Sequence, residues 1–234
     1  MKEIFERLIP TQLINFYKKK LKPLKFRNKS IADTFTEIYQ TNHWQGNESI
    51  SGRGSDFDQT QKVIVELESV FIKYKIKSIL DIPCGDFNWM SRIDFSQKKY
   101  LGADIVEKII QNNLSKYGNI NNIDFVNLDL TSDSLPQSEL IICRDCLVHM
   151  SNEAIQKAIE NIIKSNSGYL ITTSYINRTV NYDIVTGDWR PINLQIAPFN
   201  FPEPDYLFIE ECTEGNGKYT DKAMCLWKIS AIKK

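Results

Sequence analysis

Five short, apolar, β-rich segments recur along the middle of this 234-residue chain: KSILDI (77–82), YLGADI (100–105), DFVNLDL (124–130), ELIICRD (139–145) and GYLITTSY (168–175). Helical periodicity fills several of the gaps, most clearly over 106–117 and 152–164. A further helix is predicted from about Asp58 to Tyr74, with Val63, Ile64, Leu67, Val70 and Phe71 on one face. Strands alternating with helices predict an α/β domain, a parallel sheet with helices on both faces and right-handed connections. Two last strand candidates, YLFIEE (206–211) and AMCLWKIS (223–230), flank the turn-forming EGNGK and are predicted to pair antiparallel at the sheet edge. Between Tyr175 and Tyr206 no helix is legible, only a run rich in Asn, Pro and aromatics, of the length and irregularity that functional loops have. There is no internal repeat and no low-complexity tract.

Charge divides the chain. Lys plus Arg and Asp plus Glu number 29 each, yet residues 1–29 hold nine basic residues against Glu3 and Glu6, a net +7 that leaves −7 on the other 205. A balanced total argues against a dedicated nucleic-acid binder. The basic segment, with Phe5, Leu8, Ile9, Leu13, Phe16 and Tyr17 at helical spacing, is read either as a solvated helix leaning on the domain or as an amphipathic contact with a membrane surface or partner. The expected organisation is therefore a basic helical extension with a lid or cofactor loop (1–57), followed by a catalytic α/β domain (58–234). No apolar run reaches the roughly 20 residues of a membrane span, and MKEIFERLIP lacks a signal peptide's apolar stretch. The expected location is the cytoplasm, with a peripheral place at the inner face of the membrane left open. Cys84, Cys143, Cys146, Cys212 and Cys225 are odd in number and widely spaced, which predicts free thiols. Cys143 and Cys146 lack a second pair at metal spacing, so packing is expected and no metal.

In open α/β sheets ligands bind beyond the carboxyl ends of the strands, beside the first. That strand here runs into Asp81-Ile-Pro-Cys-Gly-Asp-Phe-Asn-Trp89, which places Asp81, Pro83, Cys84, Gly85, Asp86 and Trp89 among the candidate ligand contacts. Asp104, followed by Ile105, ends the next strand 19 positions after Gly85, the offset at which a carboxylate takes a ribose diol. Asp129, between Leu128 and Leu130, ends the third and is placed to meet an adenine amino group. A dinucleotide turn needs small residues and free N–H groups facing a pyrophosphate. This one has Pro83 and Phe87 where the first and third glycines would stand, and two carboxylates, Asp81 and Asp86, that repel phosphate. The same carboxylates suit S-adenosylmethionine, which carries an ammonium, a sulfonium and no phosphate.

Asp81-Ile-Pro-Cys-Gly-Asp with Asp104 and Asp129 resembles motifs I, II and III of the class I S-adenosylmethionine-dependent methyltransferases, and the element order from about residue 58 onward resembles that fold. The runs HWQGNESISGRGS, LDIPCGDFNWM, CRDCLVHMS and DKAMCLW are similar to a bacterial group associated with capsule and lipopolysaccharide gene clusters. The resemblance implies a Rossmann-like, doubly wound sheet of seven strands with the last antiparallel, and S-adenosylmethionine as cofactor with S-adenosylhomocysteine as product. It further implies methylation of a hydroxyl on a sugar, or on a sugar substituent, in a polysaccharide precursor. Nitrogen or phosphoramidate acceptors, an RNA methyltransferase and a non-catalytic cofactor-binding module remain alternatives. The expected partner is a small glycan or nucleotide-sugar. Only Gly85 of the usual glycine-rich loop is present.

Transfer from a sulfonium is an in-line displacement, so alignment and exclusion of water do most of the work, with a base useful for a hydroxyl. Cys143-Arg-Asp-Cys-Leu-Val-His149 follows the fourth strand, where such groups are expected. His149 and Asp145 are competing bases, His149 having helix capping or packing as its other reading, and Arg144 is a further cofactor candidate. Arg53 in SISGRGS is a candidate for the methionine carboxylate, since guanidinium pairs bidentately with carboxylates. Trp44, with His43, is expected in a lid. Tyr175, Asp183, Trp189, Arg190 and Asn193 mix aromatic faces with hydrogen-bonding groups, as sugar pockets do, or else plug the end of the sheet.

Overall fold

The structure, a computed structural model, describes residues 25–46 and 48–232. The amphipathic helix expected within residues 1–29 falls outside them as far as residue 24. Helix α1 (Ile31–Gln40) opens the described chain; Ser30 caps it, its Oγ accepting from Asp33 N at 3.0 Å. Helix α2 (Phe57–Lys73) follows, its first N–H held by Glu48 Oε2 at 2.8 Å. Then come β1 (Ser78–Asp81), β2 (Lys99–Asp104), α3 (Glu107–Tyr117), β3 (Ile123–Asn127), β4 (Leu140–Cys143), α4 (Asn152–Lys164), β5 (Tyr169–Tyr175), β6 (Tyr206–Ile209) and β7 (Lys222–Lys228).

Seven strands form one sheet in the order β3-β2-β1-β4-β5-β7-β6. β1 to β5 are mutually parallel, and β7 runs antiparallel to both β5 and β6. The predicted pairing of the last two strands holds, but β7 is inserted beside β5 and β6 takes the edge.

Alternation of side chains divides the core into two layers. Ile79, Leu140, Ile142, Ile171, Met224 and Leu226 face one way, onto Val63, Leu67, Val70 and Phe71 of α2 and Ile110 of α3. Leu80, Ile141, Cys143, Leu170, Cys225 and Trp227 face the other way. There they meet Ile155, Ala158 and Ile162 of α4 and the loop residues Ile192, Leu194, Phe199 and Phe201. On this second face an irregular segment fills space that a helix would otherwise cover. All five cysteines are free thiols, and no helix among the described residues is long and apolar enough to cross a membrane.

The strand order reverses between β1 and β4, which opens a crevice at their carboxyl ends. Because β7 is antiparallel, its first residue, Lys222, reaches that same end.

Candidate active site

A cleft of about 460 Å³ occupies the crevice, within the size range of small-molecule sites. One wall is the loop after β1. Gly85 has φ 54, and a Cβ there would stand 2.2 Å from Ser51 Oγ, so glycine lets the preceding segment lie across the loop without displacing Ser51. Phe87, at the third glycine position, keeps a left-handed backbone (φ 57) and is only 1% exposed. Its ring packs on Phe95, Tyr100, Tyr117 and Phe125 at centroid distances of 4.9–6.3 Å. The strain of a bulky residue at positive φ is thus offset by an aromatic cluster.

Four N–H groups of this loop are occupied by the protein itself. Cys84 N donates to Ala103 O (2.8 Å), Gly85 N to Asp104 Oδ2 (3.1 Å), Phe87 N to Cys84 O (3.4 Å) and Asn88 N to Asp86 Oδ1 (3.3 Å). Pro83 has none to give. A single 3₁₀ turn, Met90–Arg92, stands where a dinucleotide fold has a helix.

Carboxylates line the wall. Asp81 is buried and accepts from Tyr100 Oη at 2.6 Å; burial outweighs that bond and raises its pKa to about 7. Asp104 is likewise raised by burial to about 6, although Val106 N (2.9 Å) and Gly85 N donate to its two oxygens. Asp129 lies two residues beyond the end of β3, and its Oδ1 accepts from Thr131 N and Oγ1, each at 2.7 Å. Ile105 and Leu130 line the cleft beside these two acids, as Trp89, Pro83 and Cys84 do beside the loop. Burial also pushes the Cys84 thiol well up, so it stays neutral. Asp86 acts inward as a clamp: Ser49 Oγ (2.9 Å) and Ile50 N (3.0 Å) donate to it, fastening the 48–55 segment to the loop.

The opposite wall holds the groups expected to serve chemistry. His149 lines the cleft with its ring centroid 4.7 Å from that of Trp44. Its Nδ1 is 3.0 Å from Asp188 O; a carbonyl only accepts, so Nδ1 carries the proton and Nε2 the lone pair. Burial lowers its pKa to about 4. Asp145 also lines the cleft, in the left-handed region at φ 52. Burial alone would raise its pKa, but Lys222 at 2.6 Å and Arg144 at 3.4 Å hold it at about 2. An ion-paired carboxylate of that acidity is a weaker proton acceptor than His149. Arg144 does line the cleft, but its guanidinium is bound to Glu210 (2.6 Å) and to Gly54 O (2.9 Å), and lies 5.5 Å from the Trp89 ring.

Arg53 begins a 3₁₀ turn, Arg53–Ser55, on the rim; among the described residues nothing pairs with its guanidinium. Tyr175, Trp189 and Tyr219 form an edge-to-face trio at the cleft, with centroids 5.0–6.1 Å apart. Two expected substrate residues are elsewhere. Arg190 is fully buried and donates to Tyr182 O, Leu147 O, Val148 O and Asn152 Oδ1 at 3.0–3.2 Å. Asp183 is exposed and accepts from Asn152 N, closing the start of α4. Asn193 is buried, its amide donating to Ile176 O and Arg178 O. Lys222, Glu210, Glu214 and Tyr219 were not singled out from sequence. Their order along the chain carries no local signal, because strand β7 alone brings Lys222 to the cleft.

No protein-family model matches the chain. It is 25% identical over 119 residues to a phosphoethanolamine N-methyltransferase of Triticum aestivum, covering 49% of this chain and 23% of that protein. It is 26% identical over 189 residues to phosphoethanolamine N-methyltransferase 1 of Zea mays, covering 78% and 36%. The chain thus spans about a quarter to a third of the length of the curated relatives it matches. Among solved structures, the N-methyltransferase NodS from Bradyrhizobium japonicum WM9 superposes with a TM-score of 0.55 at 14% identity, over 74% of this chain and 97% of that one. The fold is that of the class I methyltransferases. Within it, the carboxylates at the carboxyl ends of β1, β2 and β3 line one half of the cleft and Trp44, His149 and the aromatic trio the other.

Proposed function

We propose that the protein is an S-adenosylmethionine-dependent methyltransferase that methylates a hydroxyl on a sugar, or on a sugar substituent, of a bacterial surface-polysaccharide precursor. The observation that carries the cofactor is the loop after β1. Most of its N–H groups are engaged internally, leaving little for a pyrophosphate, while Asp81 is a buried carboxylate that a cationic ligand would relieve. The residues present fit the donor. Asp104 would take the ribose diol, Asp129 with Leu128, Leu130 and Ile105 the adenine, Asp81 and Gly85 the ammonium end, and Arg53 the carboxylate. When bound, the donor supplies a sulfonium-activated methyl group.

The acceptor half supports a hydroxyl. Trp44, Trp189 and Tyr219 offer apolar faces of the kind sugar rings pack against, and His149 offers Nε2 as a neutral acceptor for O–H. A base with so acidic a conjugate acid takes the proton late, once the forming C–O bond has made that hydroxyl strongly acidic. The motif runs shared with capsule-associated methyltransferases support the polysaccharide setting, with the reaction in the cytoplasm and the basic segment at the inner membrane face. A second reading, an amine acceptor, is favoured by the names of the wheat and maize relatives and of NodS.

The test is transfer from methyl-labelled S-adenosylmethionine to a panel of neutral and amino nucleotide-sugars, read by mass spectrometry. Label on oxygen is expected, with His149→Ala slowing turnover about 10²-fold and S-adenosylhomocysteine affinity little changed. Label confined to nitrogen establishes the second reading, and transfer to no member of the panel contradicts the first.

A further inference from the structure

Four charged side chains close a ring beneath the cleft. Arg144 Nη1 stands 3.4 Å from Asp145 Oδ2, and Lys222 Nζ lies 2.6 Å from that same oxygen. Lys222 Nζ is also 3.3 Å from Glu210 Oε2, which Arg144 Nη2 meets at 2.6 Å. The charges alternate and cancel. The side chains of Arg144, Lys222 and Glu210 are 4%, 3% and 1% exposed, against 24% for Asp145, so the ring meets the cleft chiefly through Asp145. Buried ion pairs are weak evidence for stability, since desolvation offsets most of their attraction. Glu210 Oε1 has no hydrogen-bond partner among the described residues, a cost that points the same way.

What the ring does is orient one carboxylate. Both cations hold Asp145 Oδ2, and Asp145 N donates to Thr173 Oγ1 at 2.9 Å, fixing the φ 52 backbone. Asp145 Oδ1 receives no hydrogen bond from the described residues. The carboxylate stands where the two halves of the cleft meet: a Cβ on Gly54, next to Arg53, would be 3.4 Å from Asp145 Oδ2, and His149 lies on the acceptor side.

We propose that Lys222 is a positioning residue: acting through Asp145, it fixes an anionic oxygen at the junction of the donor and acceptor halves, so that the site favours positive charge at the transferable group. The proposal rests on the S-adenosylmethionine reading and adds to it a residue that the loop motifs do not contain. The charged and titratable groups facing Asp145 are Lys222 from β7, Arg144 beside it, His149 from the turn after β4, Tyr175 from β5, and Glu210 and Glu214 from the β6–β7 connection. With Lys222 gone, burial is opposed chiefly by Arg144, and Asp145 takes up a proton as the pH falls.

Two ligands separate charge at that point from every other contact. S-adenosylhomocysteine has a neutral sulfur there; sinefungin has an ammonium-bearing carbon. Calorimetry should show the wild type preferring sinefungin about tenfold from about pH 5.5 to about pH 8, the difference one charge-assisted hydrogen bond makes. Lys222→Met leaves Glu210 in place to compete with Asp145 for Arg144. That variant should keep the preference at the upper pH and lose it at the lower, while Lys222→Arg restores it. Asp81 and Asp104 titrate in the same window but act on both ligands, so the ratio is insensitive to them. An unchanged ratio at every pH, or a loss of S-adenosylhomocysteine affinity in step with sinefungin, overturns the proposal. A wild type that binds both without preference overturns it alone, and a wild type that binds neither removes the S-adenosylmethionine reading with it.

Discussion

Asp81 and Asp104 keep their protons to about pH 7 and about pH 6 because burial denies their charged forms water, whereas an unfolded chain releases such protons near pH 4. Between those values the unfolded state binds fewer protons, so rising pH weakens the ligand-free fold. His149, lowered from 6.5 to about 4, acts in the opposite sense over its own interval. Asp81→Asn isolates one carboxylate: its melting temperature relative to wild type should climb by several degrees from pH 5 to pH 8, and a constant difference would contradict the burial argument. These acids were legible in the sequence because they end strands at fixed offsets from Gly85. Glu210 and Lys222 were not, because their partners Arg144 and Asp145 are 66 and 77 positions away and nothing local marks the pairing.

At the scale of elements, hydrophobic period located the strands and the three later helices to within one to three residues at most ends. It overran β3, which stops at Asn127 as Asp129 turns the chain with Thr131 and Asp133. It also passed over α1, although Ile31, Phe35 and Ile38 recur at helical spacing and Ser30 caps it, since the first two lean on a cluster assembled from distant segments. The aromatic-rich stretch 176–205 left core and pocket open as readings, and the structure divides it: Phe199 and Phe201 are core, Gly187 to Trp189 line the cleft. Arg190 is the pin that holds this stretch to the turn before α4. Arg190→Met would leave several buried carbonyls unpaired and should cost about 3–5 kcal/mol by denaturant titration, with S-adenosylhomocysteine still bound at low temperature. A stable variant that had lost ligand binding would return Arg190 to the pocket.

The neutral total of the whole molecule hides a basic first segment and an acidic body, and the acidic body owns the cleft. The described part of the segment before α2 belongs to that cleft as well: Ser49 and Ile50 hold Asp86, Ser51 covers Gly85, and Trp44 stacks by His149. A phosphate-free cationic donor suits such a site, and a dinucleotide does not. Thermal denaturation with S-adenosylhomocysteine or NAD tests this directly. At 100 times its dissociation constant S-adenosylhomocysteine should add about 2.7 kcal/mol, roughly 5–10 °C in a domain of this size, with NAD leaving the midpoint unmoved. Stabilisation by NAD and none by S-adenosylhomocysteine would contradict the assignment of this cleft.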